Sequence, residues 1–94
     1  MLKKKVLLVL GAGGHGKSVA EAALLSGKWE KVVFADDSWP QKTDIAGFSI
    51  ITNIDKIHHV LSDISAAIPA VGNNQLRQKW FHLLENLSIP IATV

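Results

Sequence analysis

The residues best able to do chemistry in this chain lie in the stretch VLLVLGAGGHGKSVAEAALL, residues 6–25. Gly11, Gly13 and Gly16 have the G-x-G-x-x-G spacing of a dinucleotide-binding turn, while Gly11, Gly16, Lys17 and Ser18 have the G-x-x-x-x-G-K-[ST] spacing of a P-loop. Both patterns do the same elementary thing. Side-chain-free residues let a phosphate approach peptide N–H groups at the start of a helix, where the helix dipole favours an anion.

The two readings differ in what else they require. A P-loop needs Lys17 on the β- and γ-phosphates, Ser18 on magnesium and a metal-binding acid, for which VVFADD (residues 32–37) is available. It also needs a water-positioning or second catalytic group, and beyond Arg77 no later segment supplies one. The dinucleotide turn needs a tight turn at Gly11, close backbone approach at Gly13, helix-on-strand packing at Gly16 and an acid about 20 residues further on. Asp36 stands 20 residues after Gly16 (36 − 16). The Rossmann reading is therefore favoured.

A full dinucleotide spans two βαβαβ halves. Ninety-four residues provide one. A nucleoside with a phosphate or pyrophosphate fits that size better than NAD. An NAD(P)-binding module of a reductase or redox sensor is the alternative, and an interaction domain with a degenerate loop is a third reading.

The remaining polar residues are weaker candidates. His15, inside the glycine loop, is expected to donate to a phosphate or to backbone rather than act as a base. Asp36 and Asp37, as consecutive residues, point apart and make a poor metal shell, so no metal site is expected. Adjacent His58 and His59 are expected to diverge on a surface. Arg77 suits a phosphate or a salt bridge. Trp80 belongs to an apolar stripe, whereas Trp29 and Trp39 suit base stacking or packing against a neighbouring domain.

These groups must be held by elements whose pattern is readable. Residues 5–10 form a short apolar run closed by glycine, as in a central strand covered on both faces. Apolar residues at helical spacing predict a helix over 14–26, with Gly27 as its stop. Residues 31–37 read as a second buried strand, ending in two carboxylates. Residues 38–44 read as a surface excursion, GFSIIT as a small edge strand, and Ile54, Ile57 and Leu61 as one face of a helix starting near Asn53. Residues 65–72 return as a strand in which Pro69 suits an edge or an end. Leu76, Trp80, Leu83, Leu84 and Leu87 define a last helix capped by Asn73 or Asn74, and IPIATV reads as a closing strand. The pattern specifies a single α/β domain over residues 1–94: a Rossmann-like half-domain with a mostly parallel βαβ sheet and helices on both faces.

Composition narrows the class. Ten Lys and Arg against eight Asp and Glu give a net charge of +2, too little for a nucleic-acid-binding stripe. With no cysteine, the chain fits a reducing compartment, and a cytoplasmic location is expected. The apolar run of residues 6–10 is too short for a signal peptide or a membrane span.

GAGGHGKSVAE, FADD and AIPAVGNNQLRQK, in this order, resemble the N-terminal domain of the NeuD/PglD family of sugar acyltransferases over essentially the whole chain. The resemblance implies a Rossmann-like domain that binds a nucleotide-activated amino sugar of UDP type, in sialic-acid or bacillosamine-type biosynthesis. It places Gly13, Gly14 and His15 in the loop facing the nucleotide sugar, Asp36 and Asp37 on the base or ribose, and Gly72 across the pocket; Asn73 and Arg77 have a supporting role. In the family, acetyl-CoA, the catalytic histidine and the homotrimer interface belong to a left-handed β-helix of hexapeptide repeats, which this sequence lacks. The resemblance therefore implies no cofactor and no catalytic residue in this chain, which is expected to be a fragment of a longer acetyltransferase, inactive by itself.

Overall fold

The computed structural model describes residues 5–93. Strand β1 (Val6–Leu10) is central because its side chains are apolar on both faces. Leu7 and Val9 enter one core layer and Leu8 and Leu10 the other, as the two-residue repeat of a strand demands. On the first face, helix α1 (Gly14–Leu25) contributes Ala20 and Ala23, small enough to bring the helix close to the sheet. On the opposite face, helix α2 (Asn74–Asn86) contributes Trp80 and Leu84. Helices thus cover both faces, as the alternating pattern required.

Five strands form the sheet in the order β3-β4-β2-β1-β5. Strand β2 (Lys31–Ala35) and strand β5 (Ala66–Pro69) flank β1, both parallel to it. Pro69 closes β5, where its missing N–H costs no ladder bond. From β1 the chain moves outward through β2 on one side, then returns to β5 on the other. The strand order reverses at the β1/β5 boundary, and in open parallel sheets ligands bind outside the carboxyl ends of the strands at such a point.

Several expectations need correction. GFSIIT is not an edge: strand β4 (Phe48–Thr52) pairs in parallel with β2, and the two-residue strand β3 (Asp44–Ile45) covers it from outside in antiparallel register. The turn at Ala46 and Gly47, both at positive φ, makes that hairpin. Strand β2 stops at Ala35, so Asp36 and Asp37 lie beyond it. The segment after Asn53 is two 3-10 turns, Ile54–His59 and Leu61–Asp63, rather than an α-helix. Ile54 and Ile57 are buried as expected, but Leu61 is exposed. IPIATV contributes a single bridge, Ile91 to Ala67, in place of a strand.

Candidate functional site at the carboxyl ends of the strands

Only Gly11, Ala12 and Gly13 separate β1 from α1. So short a turn has the Rossmann shape and cannot wrap a phosphate as a long P-loop does. Each glycine in it has a separate physical reason. Gly11 adopts φ +103°, and a Cβ there would lie 2.9 Å from the carbonyl oxygen of Ala70, so its backbone presses against the exit of β5. A Cβ at Gly16 would lie 1.9 Å from the Gly11 carbonyl oxygen, which fixes the distance between helix and turn. Gly13 and Gly14 are exposed and have nothing within 4 Å of a Cβ position, leaving their backbone open to an incoming group.

Helix α1 has Gly13 as its N-cap, with no side-chain cap and no acid in its first turn. Its first intrahelical bond runs from the Lys17 N–H to the Gly13 carbonyl at 3.0 Å, so the amides of Gly14, His15 and Gly16 have no acceptor inside the helix. Those amides and the helix dipole make an anion-binding end. Helix α2 differs. Its N-cap Asn73 accepts from the Leu76 N–H at 2.9 Å, and Asn74 accepts from the Arg77 guanidinium at 2.9 Å. Arg77 is therefore paired within its own helix turn. Gly72, just before α2, is exposed and has open space above it.

Asp36 reaches across the strand ends. Its Oδ1 accepts from the Ala12 N–H at 2.8 Å, and its Oδ2 accepts from the Ser38 N–H at 2.9 Å and the Ser38 hydroxyl at 2.5 Å. Burial favours the neutral acid, but these bonds, led by the Ser38 hydroxyl and aided by the Lys42 charge, outweigh it and hold the Asp36 carboxyl below the usual aspartate range. A carboxylate offers about four acceptor positions. Three are already taken by the protein. Asp37 is exposed, with one long contact from the Ile54 N–H at 3.4 Å.

The structure thus brings Gly13, Gly14, His15, Asp36, Asp37 and Gly72 to the carboxyl end of one sheet, after β1, β2 and β5. Trp80 is core and packs near Gly11, while Trp29 and Trp39 pack against the α1-side layer. The His58 and His59 rings do not diverge: they meet edge to face, with centroids 4.2 Å apart, on an exposed 3-10 segment. Ala12 and Ser38 were not evident from sequence. The available signal was Asp-x-Ser after a strand, in which an aspartate bonds the amide two residues on. Among the described residues no group of three or more His, Asp or Glu is placed to hold a metal ion, and no helix is long and apolar enough to cross a membrane.

A depression of about 740 Å³ lies at the opposite end of the sheet, lined by Lys5, Val6, Leu61, Ser62, Asp63, Ile64 and Ser65. Its lining includes no α-helix N-terminus and no glycine. The chemistry favours the carboxyl end.

Residues 6–84 match the model of the PglD N-terminal domain, and the chain belongs to that family. It is similar to the acetyltransferase domain of PglB from Neisseria gonorrhoeae FA1090, solved with acetyl coenzyme A: TM-score 0.81 and 32% identity, covering 93% of this chain and 42% of that one. A mutant perosamine N-acetyltransferase from Caulobacter crescentus, solved with CoA and GDP-perosamine, shares the fold at TM-score 0.75 and 23% identity, covering 95% of this chain and 41% of that one. The chain spans about two fifths of the length of these relatives. No curated protein sequence matches it significantly. The comparisons lend no support to an NAD(P)-binding module.

Proposed function

We propose that this chain is the nucleotide-sugar-binding domain of a sugar acetyltransferase and that its ligand is a UDP-linked amino sugar. The pyrophosphate lies against the open start of α1, over the backbone of Gly13, Gly14 and His15. Asp37, with the remaining acceptor position of Asp36, takes hydrogen bonds from the base or ribose, and Gly72 lines the opposite wall. The observation that carries this reading is the uncapped, acid-free start of α1 beside the β1/β5 reversal, with open space over Gly13, Gly14 and Gly72. Family membership supports the same assignment.

The domain contributes positioning: it holds the sugar so that its amine or hydroxyl meets an acetyl thioester bound elsewhere. Acetyl-CoA, the catalytic histidine and trimer formation belong to a left-handed β-helix domain, so the 94-residue chain alone is inactive. A cytoplasmic enzyme of sialic-acid or bacillosamine-type biosynthesis fits this role, and the GDP-perosamine bound by the Caulobacter relative supports a nucleotide sugar as the ligand class. Calorimetric titration with UDP-N-acetylhexosamine, NADH and ATP tests the proposal. The UDP-sugar is expected to bind tightest; a tighter response to NADH, or silence to all three, would overturn it.

A further inference from the structure

The backbone of Asp36 is fixed on both sides. Its N–H donates to the Thr52 carbonyl at 2.9 Å, and its carbonyl accepts from the Trp39 N–H at 3.0 Å. What remains free is the side chain: a choice among staggered χ1 wells and rotation of the carboxylate, a broad torsion with no sharp preference of its own. Two donors from Ser38 converge on one carboxylate oxygen and leave the other aimed at the Ala12 amide, 24 residues away in sequence. Any residue but proline at position 38 supplies an amide. Only a hydroxyl side chain supplies the second, shorter bond.

Ala12 lies between Gly11, pressed on the β5 exit, and Gly13, the open N-cap of α1. The hydrogen bond to its amide is thus the side-chain tie on the turn that presents the anion-binding end.

We propose that Ser38 is a positioning residue for this turn: it orients the Asp36 carboxylate, which in turn holds the Ala12 amide and sets the placement of Gly13 and Gly14 for the nucleotide sugar. The inference rests on the ligand reading above for its binding consequence, but the tie is measurable without ligand. Charged groups beside the carboxylate are Lys42 from its own turn and Asp37 next to it in sequence, and the first turn of α1 has no acid.

The test compares the 94-residue chain with Ser38→Ala and Ser38→Thr, following the Ala12 amide resonance against pH and the binding of UDP-N-acetylhexosamine. In the parent chain the Ala12 resonance is expected to follow the Asp36 carboxyl, which its hydrogen bonds hold below the usual aspartate range. Ser38→Ala moves the midpoint of that titration upward and weakens sugar-nucleotide binding roughly three- to tenfold, less than direct loss of a hydrogen bond to a charged group would cost, because Ser38 acts on the ligand only through Asp36 and the turn. Ser38→Thr restores both, which a merely structural role for the loop would not require. An unchanged Ala12 titration in Ser38→Ala overturns the inference. A shifted titration with unchanged binding overturns its functional half. If the parent chain binds no UDP-sugar, the ligand reading fails, and the Ala12 midpoint still decides whether Ser38 sets the carboxylate.

Discussion

The Asp36 carboxylate accepts a 2.8 Å hydrogen bond from the Ala12 amide, tying the residue that leaves β2 to the turn that leaves β1. Acidic residues after the second strand of a Rossmann unit are expected to face a ribose. Here most of this one's acceptor capacity serves the protein, and the exposed Asp37 is left as the freer carboxylate.

Removing that tie should cost stability. Asp36→Ala leaves the part-buried Ala12 amide without its partner and deletes three hydrogen bonds in all, so a loss of about 1–3 kcal/mol is expected in urea unfolding. The same group sets a pH dependence. Because its folded-state pKa is depressed, its contribution is present above the unfolded value of about 3.9 and disappears as pH falls through the folded-state value. Asp36→Asn should flatten that acid limb in unfolding measured from pH 5 downward.

The glycines should separate into two classes. Gly16→Ala drives a Cβ into the Gly11 carbonyl, a backbone atom that cannot swing aside, and is expected to cost about 3 kcal/mol or more or to prevent folding. Gly13→Ala and Gly14→Ala meet open space and should unfold within about 1 kcal/mol of the parent. Their Cβ atoms nevertheless occupy the approach to the α1 amides, so UDP-sugar affinity should fall roughly tenfold, about 1.4 kcal/mol. Circular dichroism melts and calorimetry together distinguish the classes.

Asn73 caps α2 through its bond to the Leu76 amide. Asn73→Ala is expected to lower stability by about 0.5–2 kcal/mol, whereas Asn73→Asp or Asn73→Ser should keep most of it. Denaturant midpoints check this. A loss of binding in Asn73→Asp without a loss of stability would indicate an anion close to the start of α2.

His15 is exposed at the start of α1 and has the open amides beside it. His15→Ala is expected to leave thermal stability unchanged and to weaken UDP-sugar binding several-fold, through loss of a donor beside the open amides. Thermal melts and binding isotherms read the two effects.

Much of this was legible in the residues. β1, α1, β2 and α2 carry strong local patterns in which period, glycine stop and asparagine cap agree, and there structure follows sequence to within a residue or two. The segment from Ser38 to Asp63 is less legible because its order comes from pairing rather than periodicity. β4 is interior only because the two residues of β3 fold back over it. Likewise IPIATV has strand composition, yet only Ile91 bridges to β5. At the site, the glycine positions followed from steric need. The Ala12–Asp36–Ser38 tie did not, since it joins three local signals that acquire meaning only when two strand ends come together.

Amide NMR mapping tests most directly whether a nucleoside diphosphate sugar binds at the start of α1. Titrating the chain with UDP-N-acetylhexosamine should shift the Gly13, Gly14, His15, Asp37 and Gly72 amides in a saturable manner. Shifts confined to the opposite end of the sheet, at Leu61 to Ser65, or no saturable shift at all, would contradict it.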